Sequence, residues 1–314
     1  MTKPGRVRRA QIAAETIQIF EKGSYLSPAG KQIDLREALE SAKSGSVLYR
    51  PEQRIEVGDA LAPDHVDSIN SSADVDQAES TDIPANPDST TNHGKATNIE
   101  VTGETTLAAV KRLLSVQGIS ETVCLNFASA KNPGGGFLNG SQAQEESLAR
   151  ASGLYPCIVQ MQEMYDYNRR CSTCLYSDYM IYSPHVPVIR DDQDRLLAEP
   201  YTVSMITAPA VNAGVVLERE PHNRSNIHST MTNRIRKIVE LAAHHGNKGL
   251  VLGAYGCGVF KNRPEDVAGY FKKVLVDEGY AERFEKIVFA VYDTSRDQGN
   301  LRAFERVLGG AKHS

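Results

Sequence analysis

From Asn98 onward, apolar runs the length of a strand alternate with amphipathic stretches the length of a helix, and this alternation narrows the possible folds more than any other property of the chain. The runs are IEVTG, ETVCLNFA, YMIYSPHV, YTVSMITAP, KGLVLGAY and KIVFAVYD. Between them the spacing predicts helices from the paired threonines at 105–106 to Gly118, over QAQEESLARASG, and over Ser229–His245, Pro264–Glu278 and Gly299–Leu308. Leu107, Val110, Leu113 and Leu114 fall on one face of the first of these. ETVCLNFA is apolar almost without interruption, as a strand covered on both faces should be. The expected fold is α/β, a mixed or mostly parallel sheet between two layers of helices, with ligands bound beyond the carboxyl ends of the strands.

The N-terminal third reads differently. Residues 6–22 predict an amphipathic helix carrying Ile12, Ile17, Ile19 and Phe20, and Leu35–Ala42 a shorter one, with a turn and a short strand between them. Residues 60–96 are rich in Ser, Thr, Asp, Asn and Pro and read as a flexible acidic insertion or linker. The expected organisation is an N-terminal helical accessory segment at 1–59, the insertion at 60–96 and a catalytic domain at 97–314. Nine of the 39 acidic residues lie between Arg54 and Lys95, so the rest of the chain carries 30 acids against 35 bases. That balance suits an anionic ligand without implying a nucleic-acid groove. No apolar run reaches the eighteen or so residues of a membrane span. The first twenty residues lack the apolar core of a secretory signal, which leads us to expect a cytoplasmic or nuclear protein. Five cysteines without regular spacing suggest free thiols; the CxxC at Cys171 and Cys174 lacks a second ligand pair, so no metal site is expected.

Two glycine-rich loops follow strands. In NFASAKNPGGGFLNGSQAQEESLAR, Gly134, Gly135 and Gly136 lead toward a helix expected to begin near Ser141. In LGAYGCGVF, Gly253, Gly256 and Gly258 follow KGLVL. Glycine lets backbone N–H groups crowd an oxyanion, and a helix N-terminus adds its dipole, so the two loops could hold a diphosphate between them. Neither is a Walker A loop nor a G-x-G-x-x-G turn. Glu145 and Glu146 stand in the opening turn of the helix, about 100° apart around its axis, and so cannot face each other as an acid and nucleophile pair. Cys257 and His185 have no recognisable partners for nucleophilic catalysis.

The triple glycine, seven intervening residues and then Gln144-Glu145-Glu146 resemble the signature of poly(ADP-ribose) glycohydrolases, and NFASAKNPGGG and QEESLARASGLY resemble its microbial branch. ITAPAVN and GAYGCGVF extend the likeness across most of residues 98–308. The resemblance implies a macrodomain-like three-layer αβα fold with a mixed central sheet, poly(ADP-ribose) and ADP-ribosylated proteins as partners, ADP-ribose as product, and no cofactor. It implies that Glu104 accepts from the adenine amino group, Tyr292 stacks on adenine, and Asn132 contacts the terminal ribose. Gly134, Gly135, Gly136 and Gln144 belong to the substrate-binding set, Gly256, Cys257, Gly258 and Val259 form a diphosphate loop, and Phe260 packs on the distal ribose. Glu146 would act as acid and then base, with its pKa raised toward neutrality, while Glu145 holds the ribose hydroxyls. A non-catalytic ADP-ribose-binding macrodomain and a mono-ADP-ribosyl hydrolase are the competing readings.

Overall fold

The structure is a computed structural model that describes residues 5–56 and 98–309. The acidic stretch at 60–96 therefore lies outside the described residues. The chain opens with helix α1 (Arg6–Lys22), strands β1 (Ser24–Leu26) and β2 (Gln32–Asp34), helix α2 (Arg36–Ser44) and strand β3 (Val47–Tyr49). After the undescribed segment come β4 (Asn98–Thr102), α3 (Thr106–Ser115), β5 (Thr122–Ala128), α4 (Gln144–Ala151), α5 (Leu154–Val159) and α6 (Gln162–Arg170). A long hairpin of β6 (Met180–Arg190) and β7 (Leu196–Pro209) follows, then α7 (Ala213–Arg219), α8 (Asn226–His244), β8 (Gly249–Leu252), α9 (Pro264–Lys272), β9 (Lys286–Ala290) and α10 (Gly299–Leu308).

Seven strands form one mixed sheet in the order β3-β6-β7-β5-β8-β9-β4. β7, β5, β8, β9 and β4 run parallel, and β6 and β3 add an antiparallel edge. Alternation along each strand divides the core between the two faces. Val123 and Leu125 of β5 point into a cluster with Ile235 and Ile238 of α8, Phe271 of α9 and Phe304 of α10. Cys124 between them points the other way, into a cluster with Val110 of α3, Leu148 of α4, Leu154 of α5 and Met164 of α6. The result is the expected three-layer arrangement with helices on both faces of the sheet.

The structure corrects several element boundaries. Helix α4 starts at Gln144 rather than near Ser141, because Gly140 sits in the left-handed region (φ 72°) and Ala143 is extended, which keeps 140–143 out of the helix. The helix expected to reach Glu278 is α-helical only to Lys272; a π-helical segment, Lys273–Asp277, carries the chain to Gly279. Strand β8 ends at Leu252, and the next residue, Gly253, lies so close to strand β9 that a Cβ there would come within 2.6 Å of the Ala290 carbonyl. Helices α5, α6 and α7 and strands β1 and β3 were not anticipated from the sequence.

The N-terminal helix is packed against the loop that follows the triple glycine. Arg6 Nε donates to the Asn139 carbonyl at 3.0 Å and Arg9 Nε to the Gly140 carbonyl at 2.8 Å. Gly140 leaves no room for a side chain beside the Arg6 carbonyl.

Candidate active site

Strands β5 and β8 are parallel neighbours, so the loops leaving their carboxyl ends, 129–143 and 253–263, lie side by side. They border a cleft of about 1290 Å³ lined by Asn132, Gly135, Gly136, Gln144, Glu145, Glu146, Gly256, Gly258, Val259, Phe260 and Tyr292 among others. Of the catalytic and substrate-binding residues that the family resemblance implies, Glu104, Gly134 and Cys257 stand outside that lining.

The triple glycine shapes the floor under the carboxylates. Gly134 and Gly135 adopt φ of 70° and 58°, a region closed to most L side chains. A Cβ at Gly135 would meet Glu146 Oε1 at 2.5 Å, so the backbone approaches the carboxylate as closely as it does only because this residue is glycine. The same Oε1 accepts from the Gly136 N–H at 3.0 Å. Its partner oxygen, Oε2, is buried and has no hydrogen-bond partner among the described residues. A buried acceptor left unmatched is costly, and Glu146 lines the cleft, so this oxygen is positioned to meet a donor from a ligand.

Glu145 is held differently. Only 3% exposed, it accepts from the Ser129 N–H at 2.7 Å through Oε2 and from Asn126 Nδ2 at 3.4 Å through Oε1. Burial pushes its carboxyl up to about 8, and the neighbouring Glu146 carboxylate adds to the rise, while the Ser129 N–H opposes it. The protein itself thus raises the Glu145 carboxyl toward neutrality.

Gln144 fixes the helix that carries both acids. Its Oε1 accepts from the Phe127 N–H at 2.9 Å, and its Nε2 donates to the Leu125 carbonyl at 2.7 Å and to Thr106 Oγ1 at 3.1 Å. The amide thus continues the hydrogen bonding at the end of β5 and ties α4 to α3. The expectation of a ligand contact finds here a side chain whose polar atoms already have protein partners.

On the opposite wall, Gly256 has φ 73°, and a Cβ there would meet Ala210 and Asn262 at 2.6 Å. Asn262 Nδ2 donates to the carbonyls of Val211 at 2.7 Å and Gly256 at 3.0 Å, binding this loop to the end of ITAPAVN. Gly258 and Val259 are exposed, and Phe260 packs near Tyr176 with ring centroids 6.0 Å apart. Cys257 turns inward, and burial pushes its thiol up to about 12, the opposite of what a nucleophilic thiolate needs. Tyr292, about half exposed, stands two residues beyond β9 at the far end of the cleft.

Glu104 is not brought to the cleft. Arg112, two turns along α3, donates to it with Nε at 3.0 Å and Nη2 at 2.8 Å, and Thr102 Oγ1 adds a further bond at 3.0 Å. These hydrogen bonds, Arg112 first, hold its carboxyl below the ordinary value. Its neighbour Thr105 caps α3 by accepting from the Ala108 N–H, and it is Thr105 and Thr106 that line the cleft.

Sequence reasoning also missed a whole wall. The turn between β6 and β7, Asp191 to Arg195, lines the cleft together with Arg150. Thr105 Oγ1 donates to Asp192 at 2.7 Å across it. RDDQDR announces only a polar turn, and nothing in it marks the chemistry it faces. Among the described residues, no group of three or more His, Cys, Asp or Glu side chains is arranged to hold a metal ion. No described helix is long and apolar enough to cross a membrane.

The profile of the microbial-type poly(ADP-ribose) glycohydrolase catalytic domain matches residues 13–191. The structure is similar to that of poly(ADP-ribose) glycohydrolase from Thermomonospora curvata, at 42% identity and a TM-score of 0.81 over 96% of this chain and 99% of that one. The same enzyme bound to the inhibitor ADP-HPD aligns at 41% identity and a TM-score of 0.78, over 95% of this chain and 98% of that one. Poly(ADP-ribose) glycohydrolase from Deinococcus radiodurans in complex with ADP-ribose aligns at 39% identity and a TM-score of 0.70, over 86% and 96% of the two chains. No curated protein sequence matches the chain significantly.

Proposed function

The chain belongs to the microbial-type poly(ADP-ribose) glycohydrolases, and from that membership we propose how its residues divide the work of cutting the ribose–ribose bond. The enzyme is a glycohydrolase that releases ADP-ribose from poly(ADP-ribose). The observation that carries the assignment of roles is the buried, unmatched Oε2 of Glu146, a residue that lines the cleft and whose other oxygen is held against a glycine that admits no side chain.

The diphosphate of the terminal unit lies between the triple-glycine loop, whose Gly135 and Gly136 N–H groups are already bonded to Asn132 and Glu146, and the segment Gly256 to Val259, where glycine keeps the backbone accessible. Adenine stacks on Tyr292 at one end, with Thr105 and Thr106 nearby, and Phe260 and Asn132 bracket the distal ribose. Glu104 serves this site indirectly, by fixing Arg112 and the start of α3, rather than by touching adenine.

In the first step protonated Glu146 gives its proton to the departing ribose oxygen as the bond from that oxygen to the anomeric carbon breaks, leaving an oxocarbenium-like sugar. In the second, the Glu146 carboxylate takes a proton from water while the water oxygen bonds to the anomeric carbon. Glu145, whose carboxyl burial pushes up to about 8, holds ribose hydroxyls beside the reacting centre. The whole 97–314 segment acts as the catalytic domain and 1–59 as an accessory segment that supports it. ADP-ribosylated proteins present the polymer, in the cytoplasm or nucleus.

Replacing Glu146 by Gln tests the division of labour. Release of ADP-ribose from polymer should fall on the order of a thousandfold, within the range for losing a general acid and base, while free ADP-ribose still binds. Turnover close to the wild-type rate would remove Glu146 from the chemistry.

A further inference from the structure

Helix α4 carries both glutamates, yet its N-cap residue is Ala143, which has no side chain to cap the first turn. The segment entering the helix is held instead from its other end. Arg150, in the last turn of α4 and 2% exposed, donates through Nη1 to the Ser141 carbonyl at 3.1 Å and through Nη2 to Gln142 Oε1. Ser141 in turn donates its N–H to the Gly136 carbonyl at 3.1 Å, and Gly136 is the residue whose own N–H reaches Glu146 Oε1. The path from guanidinium to catalytic carboxylate is continuous: Arg150, Ser141, Gly136, Glu146.

The same arginine is locked into a ring of contacts with two other parts of the chain. Its Nε lies 3.3 Å from Asp194 Oδ1, in the turn that forms the far wall of the cleft, where Asp194 adopts φ 62°. Arg190, 3% exposed, donates to the Asp194 carbonyl at 2.9 Å, to Thr16 Oγ1 at 2.9 Å and to Glu15 at 2.9 Å. Thr16 closes the ring by donating to the Arg150 carbonyl at 2.8 Å. Burying two guanidinium groups carries a desolvation cost, and such a network gives little stability over an apolar one of the same shape. What it does give is a fixed register between α1, the β6–β7 turn and the entrance of α4.

We propose that Arg150 is a positioning residue for hydrolysis of the polymer, holding the Gly136–Glu146 hydrogen bond in its reactive geometry through Ser141, with Asp194 orienting the guanidinium. The proposal rests on Glu146 as the acid and base.

The test compares Arg150→Met, Arg150→Lys and Asp194→Asn with wild type and Glu146→Gln. Turnover on polymer, ADP-ribose affinity by calorimetry and melting temperature are measured for each. Arg150→Met should lose at least about tenfold in kcat with ADP-ribose affinity within about threefold of wild type, and Arg150→Lys should restore part of that loss. Should Arg150→Met fail to fold, Asp194→Asn decides the matter, with kcat lowered and affinity kept. Wild-type kcat in the folded variants overturns the proposal. So does a loss of kcat matched by loss of ADP-ribose binding, which would make Arg150 a ligand contact, or a loss that only follows melting temperature and is not recovered by lysine. Full turnover in Glu146→Gln would instead sink the reading of Glu146, whatever the arginine variants do.

Discussion

At the level of single residues, two adjacent carboxylates in one helical turn are given different environments by a rotation of about 100°. Glu145 points back toward β5, where burial and the nearby Glu146 carry its pKa up to about 8; Glu146 points to the cleft with one oxygen held and the other unmatched. The first of these has a consequence for stability. Below about pH 4.5 Glu145 is protonated in both folded and unfolded chains; between there and about pH 8 the unfolded chain releases the proton while the folded chain keeps it. This contribution to stability is therefore complete at the acidic end and is lost as pH rises through the folded-state value. Thermal denaturation of Glu145→Gln should show a shallower fall in melting temperature between pH 5 and pH 8 than the wild-type protein. Parallel curves for the two would mean that Glu145 is not protonated when folded. The pair itself was legible in the sequence, because a triple glycine followed at fixed distance by Gln-Glu-Glu is a rare arrangement. Arg150 was not, since an arginine in a helical stretch reads as a solvated charge and its burial depends on α1 and the β6–β7 turn, both distant in sequence.

Among the elements, the loop from β5 to α4 does the most with the least side chain. Its left-handed glycines bring backbone against carboxylate, and Gly135→Ala should show what that contact is worth. A methyl group there must displace Glu146 and adopt a strained φ, so urea denaturation should register a loss of about 1–3 kcal/mol. Turnover should fall at least about tenfold, since the acid can no longer sit at the Gly136 N–H. An alanine variant with wild-type turnover would show that the close approach is incidental. Helices α1 and α10 begin and end where the sequence reading set them, whereas α8 runs Asn226–His244 rather than the expected Ser229–His245. The helices it missed are short or highly polar, such as QEMYDYNRR in α6, which buries Met164, Tyr165 and Asn168 against neighbours that local spacing does not reveal. The early start assigned to α4 came from reading 141–143 as continuous with the helix, when Arg150 and an extended Ala143 hold them outside it.

For the molecule as a whole, the sheet order places β5 beside β8, and that single adjacency brings two loops more than a hundred residues apart in sequence to one cleft. Alternation of strands and helices was enough to foresee the layers, but not that β3 and β6 would form an antiparallel edge or that the β6–β7 turn would close the cleft on its far side. The N-terminal helix packs on the loop that leads into α4 and on the end of α4 itself. In the proposed mechanism these arrangements serve delivery of an anomeric carbon to Glu146. A crystal structure of the wild-type protein with ADP-ribose measures this directly. A Glu146 oxygen should lie about 2.6–3.2 Å from the anomeric hydroxyl, with the diphosphate between the triple-glycine loop and Gly256 to Val259. An anomeric carbon lodged elsewhere in the cleft, beyond reach of Glu146 even through one water, would contradict it.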